Sequence, residues 1–218
     1  MHGITRIEPA KTLTKLAYDS IKAYILRETF DEDEKLTEEI LSKRLGISKS
    51  PVREALNSLS TEGLVRIEPR RGAYLRRFSR QEVLDLYNLR EALEVYAVST
   101  AHVTPKLLTE MRKSIRRTKK LLKAGDKKGH IEEDTLFHGL ISTASGNAEL
   151  SKILANIQNQ IWLCRRKTYD LSSSSAPYAH QAILTAFESG DRKAAEDAMR
   201  NHIALVRERL LAFMDSDG

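Results

Sequence analysis

Cysteine is almost missing from this 218-residue chain, with Cys164 the only one. A single thiol excludes an internal disulfide framework, and it excludes a Cys-based zinc finger, which needs two or more thiolates. It fits a reducing cytoplasm, and Cys164 itself is expected to be a small buried residue. No apolar run approaches the roughly 20 residues that cross a bilayer, so no membrane partner is expected. The segment MHGITRIEPAK lacks the apolar core of a signal peptide, and the expected location is cytoplasmic. There is no Gly-rich phosphate loop, no GxSxG elbow and no internal repeat. Charge, by contrast, is plentiful: 30% of residues are charged against 41% hydrophobic, the balance of a globular protein.

The net charge is +6, and its distribution is uneven. Between residues 43 and 77 the cations are Lys43, Arg44, Lys49, Arg53, Arg66, Arg70, Arg71, Arg76 and Arg77, against Glu54, Glu62 and Glu68. That window carries +6, as much as the whole chain, while residues 28–39 just before it are strongly acidic. A localised basic stretch is the footprint expected of phosphate binding, although most charge runs are simply solvated surface.

Periodicity predicts a helix over 11–29, from Leu13, Leu16, Ala17, Ile21, Tyr24 and Ile25. Thr37 is expected to cap a short helix with Ile40, Leu41 and Leu45 inside, which Gly46 ends. Ser48 reads as the N-cap of a third helix, with Pro51 harmless in its first turn. Val52, Ala55, Leu56 and Leu59 would be its buried face. The period then shortens, and two strands around Glu68-Pro69-Arg70-Arg71-Gly72 read as a hairpin. From Ser79 onward everything looks helical. A Ser79/Glu82 capping box opens a helix to about Thr100. Further helices are expected at roughly 105–125, 127–144, 148–170, 177–189 and 192–214, with Ser172 to Ser175 as a loop. The fold class expected is mainly α: a winged helix-turn-helix at 1–78, then an all-α antiparallel bundle of six to seven helices at 79–218.

A helix-turn-helix reads the major groove with the N-terminal residues of its second helix. Here these are Ser48, Lys49, Ser50, Pro51 and Arg53. The hydroxyls and the helix N-terminus suit phosphate, and Lys49 and Arg53 can reach guanine edges. Arg70 and Arg71 at the hairpin tip suit the neighbouring backbone or minor groove, with Gly72 permitting the turn. The stretch LSKRLGISKSPVREALNSLSTEGLVRIEPRRGAYL, residues 41–75, resembles the winged helix of GntR-family bacterial regulators. The usual Gly and Pro-Gly before the second helix are replaced by the acidic Asp31 to Glu34 run, and two single positions also depart from that family's habit. Lys49 stands where Arg is usual, keeping charge without the bidentate fork. Glu39 stands where some members place a DNA-contacting Arg. Both bear on which operator is read.

In the bundle, Asp134 and His138 are four apart and share one helical face with Ile131 and Ile141, so that face points inward. His180 and His202 lie on later helices. Spacing alone leaves two readings open, a metal site or hydrogen-bonded core histidines. The segments Leu89-Arg90-Glu91-Ala92-Leu93-Glu94, Asp134-x-x-Phe137-His138 and Ala195-x-x-Ala198-Met199-x-x-His202 are similar to the FCD effector domain of the family's FadR-like branch. That resemblance implies a divalent metal on Asp134, His138, His180 and His202. Zinc or nickel is expected, with manganese also suited. It further implies a homodimer that binds a short inverted-repeat operator in double-stranded DNA, usually as a repressor, and that answers to a small organic acid. Arg90 could clamp such an acid, or pair with Glu94 one turn away. Arg165, Arg166, Trp162 and Tyr169 are further pocket candidates. Two other readings are a direct metal sensor and a metal-dependent hydrolase. No motif fixes a nucleophile or spare carboxylate beside the four ligands, so no enzymatic activity is expected.

Overall fold

A computed structural model describes residues 12–27, 35–69, 71–165 and 168–216. The chain divides into two compact units, Met1–Arg77 and Phe78–Gly218.

The first unit contains α1 (Leu13–Arg27), β1 (Lys35–Leu36), α2 (Glu38–Leu45), α3 (Lys49–Thr61), β2 (Val65–Glu68) and β3 (Gly72–Leu75). Its antiparallel sheet runs β1-β3-β2, with Lys35 opposite Tyr74 and Ile67 opposite Ala73. Ala17, Ile21 and Ile25 of α1 and Val52, Ala55, Leu56 and Leu59 of α3 are buried. Thr37 accepts from the Ile40 amide at 3.0 Å, and Gly46 ends α2 in the left-handed region at φ 67°. Ser48 occupies the N-cap position of α3, but its hydroxyl makes no capping bond. Lys22 of α1 reaches Glu62 at the end of α3 at 2.7 Å, and Tyr18 also bonds that carboxylate. Together they pin the first helix to the third. The expected helix over 11–29 is seen as α1, with residues 28–34 outside the described residues, as is Arg70. Strand β1 was not expected.

The second unit is all helical: α4 (Arg80–Thr100), α5 (Pro105–Ala124), α6 (Lys127–Ala144), α7 (Ala148–Arg165), a short α8 (Tyr169–Ser172), one 3₁₀ turn, α9 (Ala176–Ser189) and α10 (Arg192–Ser216). The capping box at Ser79 and Glu82 is present, with the Ser79 amide donating to Glu82 Oε2 at 2.8 Å. Thr104 caps α5 with Pro105 in its first turn. The core gathers Tyr87, Met111, Ile115, Phe137, Ile141, Ile161, Ile183, Met199 and Ile203, each 2% exposed or less. Three expectations need correction. The helix expected over 148–170 ends as α7 at Arg165, and Thr168 starts a separate turn. Ser172 to Ser175 is a helical turn instead of a loop, because Ser172 and Ser173 are buried and Arg165 donates to the Ser172 hydroxyl at 2.9 Å. Cys164 is half-buried.

Polar cross-links join α4 to α10 along most of their length. Arg80 pairs with Asp215 at 2.8 Å, Arg207 bonds Asn88 at 2.9 Å, and Arg200 pairs with Glu91 at 2.9 Å. At the far end Arg192 donates to the carbonyls of Val98, Ser99 and Ala101 at 2.7–3.2 Å, closing the C-terminus of α4. Among the described residues no helix is long and apolar enough to cross a membrane.

Candidate functional site

Helix α6 contributes Asp134 and His138 one turn apart, α9 contributes His180 near its start, and α10 contributes His202. One ligand atom from each of these four residues lies within 4.8 Å of the others. His180 Nε2 sits 3.4 Å from Asp134 Oδ1, and the Nε2 atoms of His202 and His138 are 3.3 Å apart. All three imidazoles are buried, and Phe137 stacks on His180 with ring centroids 3.8 Å apart. Burial pushes His180 down to about 3 and His202 well below the usual histidine range, so both are neutral. Burial works to raise Asp134, but the surrounding imidazoles and Arg165 outweigh it and hold the carboxyl well below the usual range. Neutral imidazoles and an ionised carboxylate are the protonation states that metal ligation requires. Neither ring nitrogen of His180 has a hydrogen-bond partner. Buried polar atoms seldom stay unpaired, so the donor set fits a divalent cation.

Glu94 on α4 fixes one of these ligands. Its Oε2 lies 2.7 Å from His138 Nδ1, and its Oε1 accepts from Arg90 Nε at 2.9 Å and from Gln158 at 3.0 Å. A carboxylate on Nδ1 selects the tautomer that leaves Nε2 with its lone pair toward the other ligands. Burial raises the Glu94 carboxyl, yet His138 and Arg90 bring it down to about 2. Sequence reading missed this role. It saw Glu94 only as a helical neighbour of Arg90, and His138 is 44 positions away. Arg90 makes that helical salt bridge and also bonds His138 Nε2 at 3.0 Å, while its Nη1 has no partner.

A cleft lies beside Asp134, which is one of the residues lining it. Among the residues lining it are His130, Thr135, Gln158, Trp162, Arg165 and Tyr169. Three of these were sequence candidates; Arg166 lies outside the described residues. His130 was missed. It is buried and bonded to the Tyr169 hydroxyl through Nδ1, a pairing 39 positions apart that periodicity cannot reveal.

In the first unit, Ser48, Lys49, Ser50 and Arg53 are all exposed at the start of α3. Arg53 is gripped by Glu38, with Nε and Nη2 donating to the two carboxylate oxygens at 2.7 Å each. Lys49 faces Glu39 at 3.9 Å. At the hairpin, Arg71 is exposed and reaches Glu68 at 3.2 Å, and Gly72 takes φ 110°, a left-handed value that favours glycine.

Residues 13–75 match the model of bacterial regulatory proteins of the gntR family, and residues 85–205 match the FCD domain. The chain is 31% identical over 179 residues to an HTH-type transcriptional regulator in an unstable DNA locus of Streptomyces ambofaciens, covering 78% of this chain and 73% of that one. It is 28% identical over 216 residues to the HTH-type transcriptional repressor GlaR of Escherichia coli, covering 88% and 93%. Among solved structures, E. coli McbR/YncC superposes with a TM-score of 0.80 at 19% identity, over 92% of this chain and 98% of that one.

Proposed function

Because this chain belongs to the gntR family of bacterial regulatory proteins and carries an FCD domain, we propose that it is a homodimeric repressor of the FadR-like branch, binding a short inverted repeat under the control of a small carboxylate held beside a divalent metal. It is a transcriptional regulator, and these domains are regulatory rather than catalytic. The observation that carries the effector half of the reading is the convergence of Asp134, His138, His180 and His202 to within 4.8 Å. GlaR, a relative over most of the chain, is itself named a repressor.

The four side chains would hold the ion, zinc or nickel by their imidazole-rich character and manganese as a further fit. When bound, the ion supplies a Lewis-acid position for one carboxylate of the effector. Glu94 keeps His138 in the ligating tautomer, and Arg90 offers its unpartnered Nη1 to the same carboxylate. In the first unit, Lys49 and Arg53 meet base edges, Ser48, Ser50 and the first turn of α3 at Pro51 meet phosphate, and Arg70 and Arg71 meet the neighbouring backbone or minor groove, with Gly72 permitting the turn. Control of operator binding requires that the effector bind the DNA-competent and released states with different affinity. The burial of all three imidazoles favours a retained ion over a freely exchanging signal.

The test is a mobility-shift assay on the region upstream of the protein's own operon at moderate salt, with and without short organic acids. Specific retardation that an acid relieves supports the reading; no specific binding under any of these conditions ends it. If operator affinity follows free metal concentration and ignores acids, the direct-sensor reading replaces it.

A further inference from the structure

Besides His180, Ser114 and Asn156, the buried polar atoms without a hydrogen-bond partner among the described residues are Tyr87 Oη, Arg90 Nη1, His130 Nε2 and Arg165 Nε, and these four residues surround Asp134 and the cleft. Such atoms are uncommon in folded proteins, and a cluster of them calls for a polar occupant. All four are donors or can serve as donors. Both guanidinium atoms donate by necessity. Burial lowers the His130 pKa and raises that of Tyr169, and the Tyr169 hydroxyl bonds His130 Nδ1. With that hydroxyl as the donor, Nε2 carries the hydrogen. The buried Tyr87 phenol lies within the electrostatic reach of both Arg165 and Arg90.

The charges tell the same story. Arg90 is paired with Glu94, whereas Arg165 lines the cleft with no ion pair among the described residues, its Nη2 bonding only a serine hydroxyl. Glu94 and Asp134 together balance the two arginines, so the two positive charges of a divalent ion are left over. We propose that the effector is a dianion, a short dicarboxylate whose first acid group sits at the metal and Arg90 and whose second is received by Arg165 Nε and His130 Nε2. This rests on the carboxylate-at-metal reading above and adds the second anchor. Arg165, His130 and Trp162 line one cleft beside Asp134, which places the second anchor next to the metal ligands.

The experiment is titration calorimetry on the full-length, metal-loaded protein with succinate and glutarate against butyrate and valerate. The expected result is that the diacids bind about tenfold to a hundredfold more tightly than the monoacids of equal length, the worth of one charged hydrogen-bonded contact. Arg165→Gln should bring the diacids down to the monoacid level while leaving monoacid affinity unchanged, compared at equal metal loading because Arg165 also faces Asp134 and bonds Ser172. Equal affinity for diacids and monoacids in the unaltered protein would overturn the second anchor and leave the carboxylate reading standing. Equal loss of both classes in Arg165→Gln would do the same. If neither class binds, both readings fall.

Discussion

Arg53 in the first unit and Arg90 in the second each pair with a glutamate, but the first pair has side chains 63% and 32% exposed and the second 1% and 1%. An exposed pair in water is worth little and is screened by salt. Arg53 can therefore exchange Glu38 for a phosphate or a guanine edge at small cost. Arg90 has no such freedom. Its charge is stable only inside a network that includes Glu94, His138 and Gln158, and that network already lacks a partner for Nη1. One unit is arranged to trade contacts, the other to have its contacts completed.

Glu94→Ala should break this contrast most visibly. It leaves a buried guanidinium without its counter-charge, and a loss of about 3–5 kcal/mol in urea unfolding is expected. Metal content should fall as well, since His138 loses the group that orients it. A loss no larger than that of Glu38→Ala, about 1 kcal/mol or less, would mean the two pairs are equivalent after all.

Acid should separate the units next. In metal-free protein the unfolded chain protonates its histidines near pH 6.5, while folded His180 resists until about pH 3 and His202 is also shifted well down. The unfolded state then binds more protons, so stability is present above pH 6.5 and is lost as pH falls toward 3. Glu94, at about 2, adds a loss only below the ordinary carboxylate range. Unfolding free energy of the chelated protein should drop on the order of 1–2 kcal/mol per pH unit below pH 6. A flat profile from pH 7.5 to 5 contradicts this.

Arg53→Ala should leave the melting temperature unchanged and weaken operator binding by about 1–3 kcal/mol, measured by fluorescence anisotropy against a scrambled duplex. The smallest effect is expected of Glu38→Gln, which loosens the grip on Arg53. Stability should change by less than about 1 kcal/mol, and operator affinity should hold or rise modestly. A marked fall in affinity would show that Glu38 positions Arg53 instead of merely parking it.

Much of this contrast was legible in the sequence because it depends on short spacings. The Gly46 stop, the Thr37 cap and the Ser79/Glu82 box are local chemistry, and the structure has each of them. Asp134 and His138 were readable as an inward pair because a helix repeats every 3.6 residues. What escaped depended on distant partners. Strand β1 is two residues long and exists because Tyr74 and Ala73 pair with it, so it carries no period of its own. Four consecutive serines look like a loop until Arg165 binds the first and burial covers two. Glu94 and His130 gained their roles from residues 44 and 39 positions away. Charge counting also misled by stopping early. Helix α5 carries Lys106, Arg112, Lys113, Arg116, Arg117, Lys119, Lys120 and Lys123 against Glu110, so the window around α3 is one of two basic regions.

The rungs between α4 and α10 give the pair the mechanics of a braced beam. Arg80–Asp215, Arg207–Asn88, Arg200–Glu91 and the Arg192 clamp set the register of the two helices, the exposed outer pairs contributing less than the Arg192 bonds to backbone carbonyls. Arg90 and Glu94 ride on one member of the beam and His202 on the other. Asp134, His138 and His180 belong to helices outside it. The cluster thus draws side chains from one member of the beam and from helices outside it, while Arg90 and Glu94 approach it from the other member.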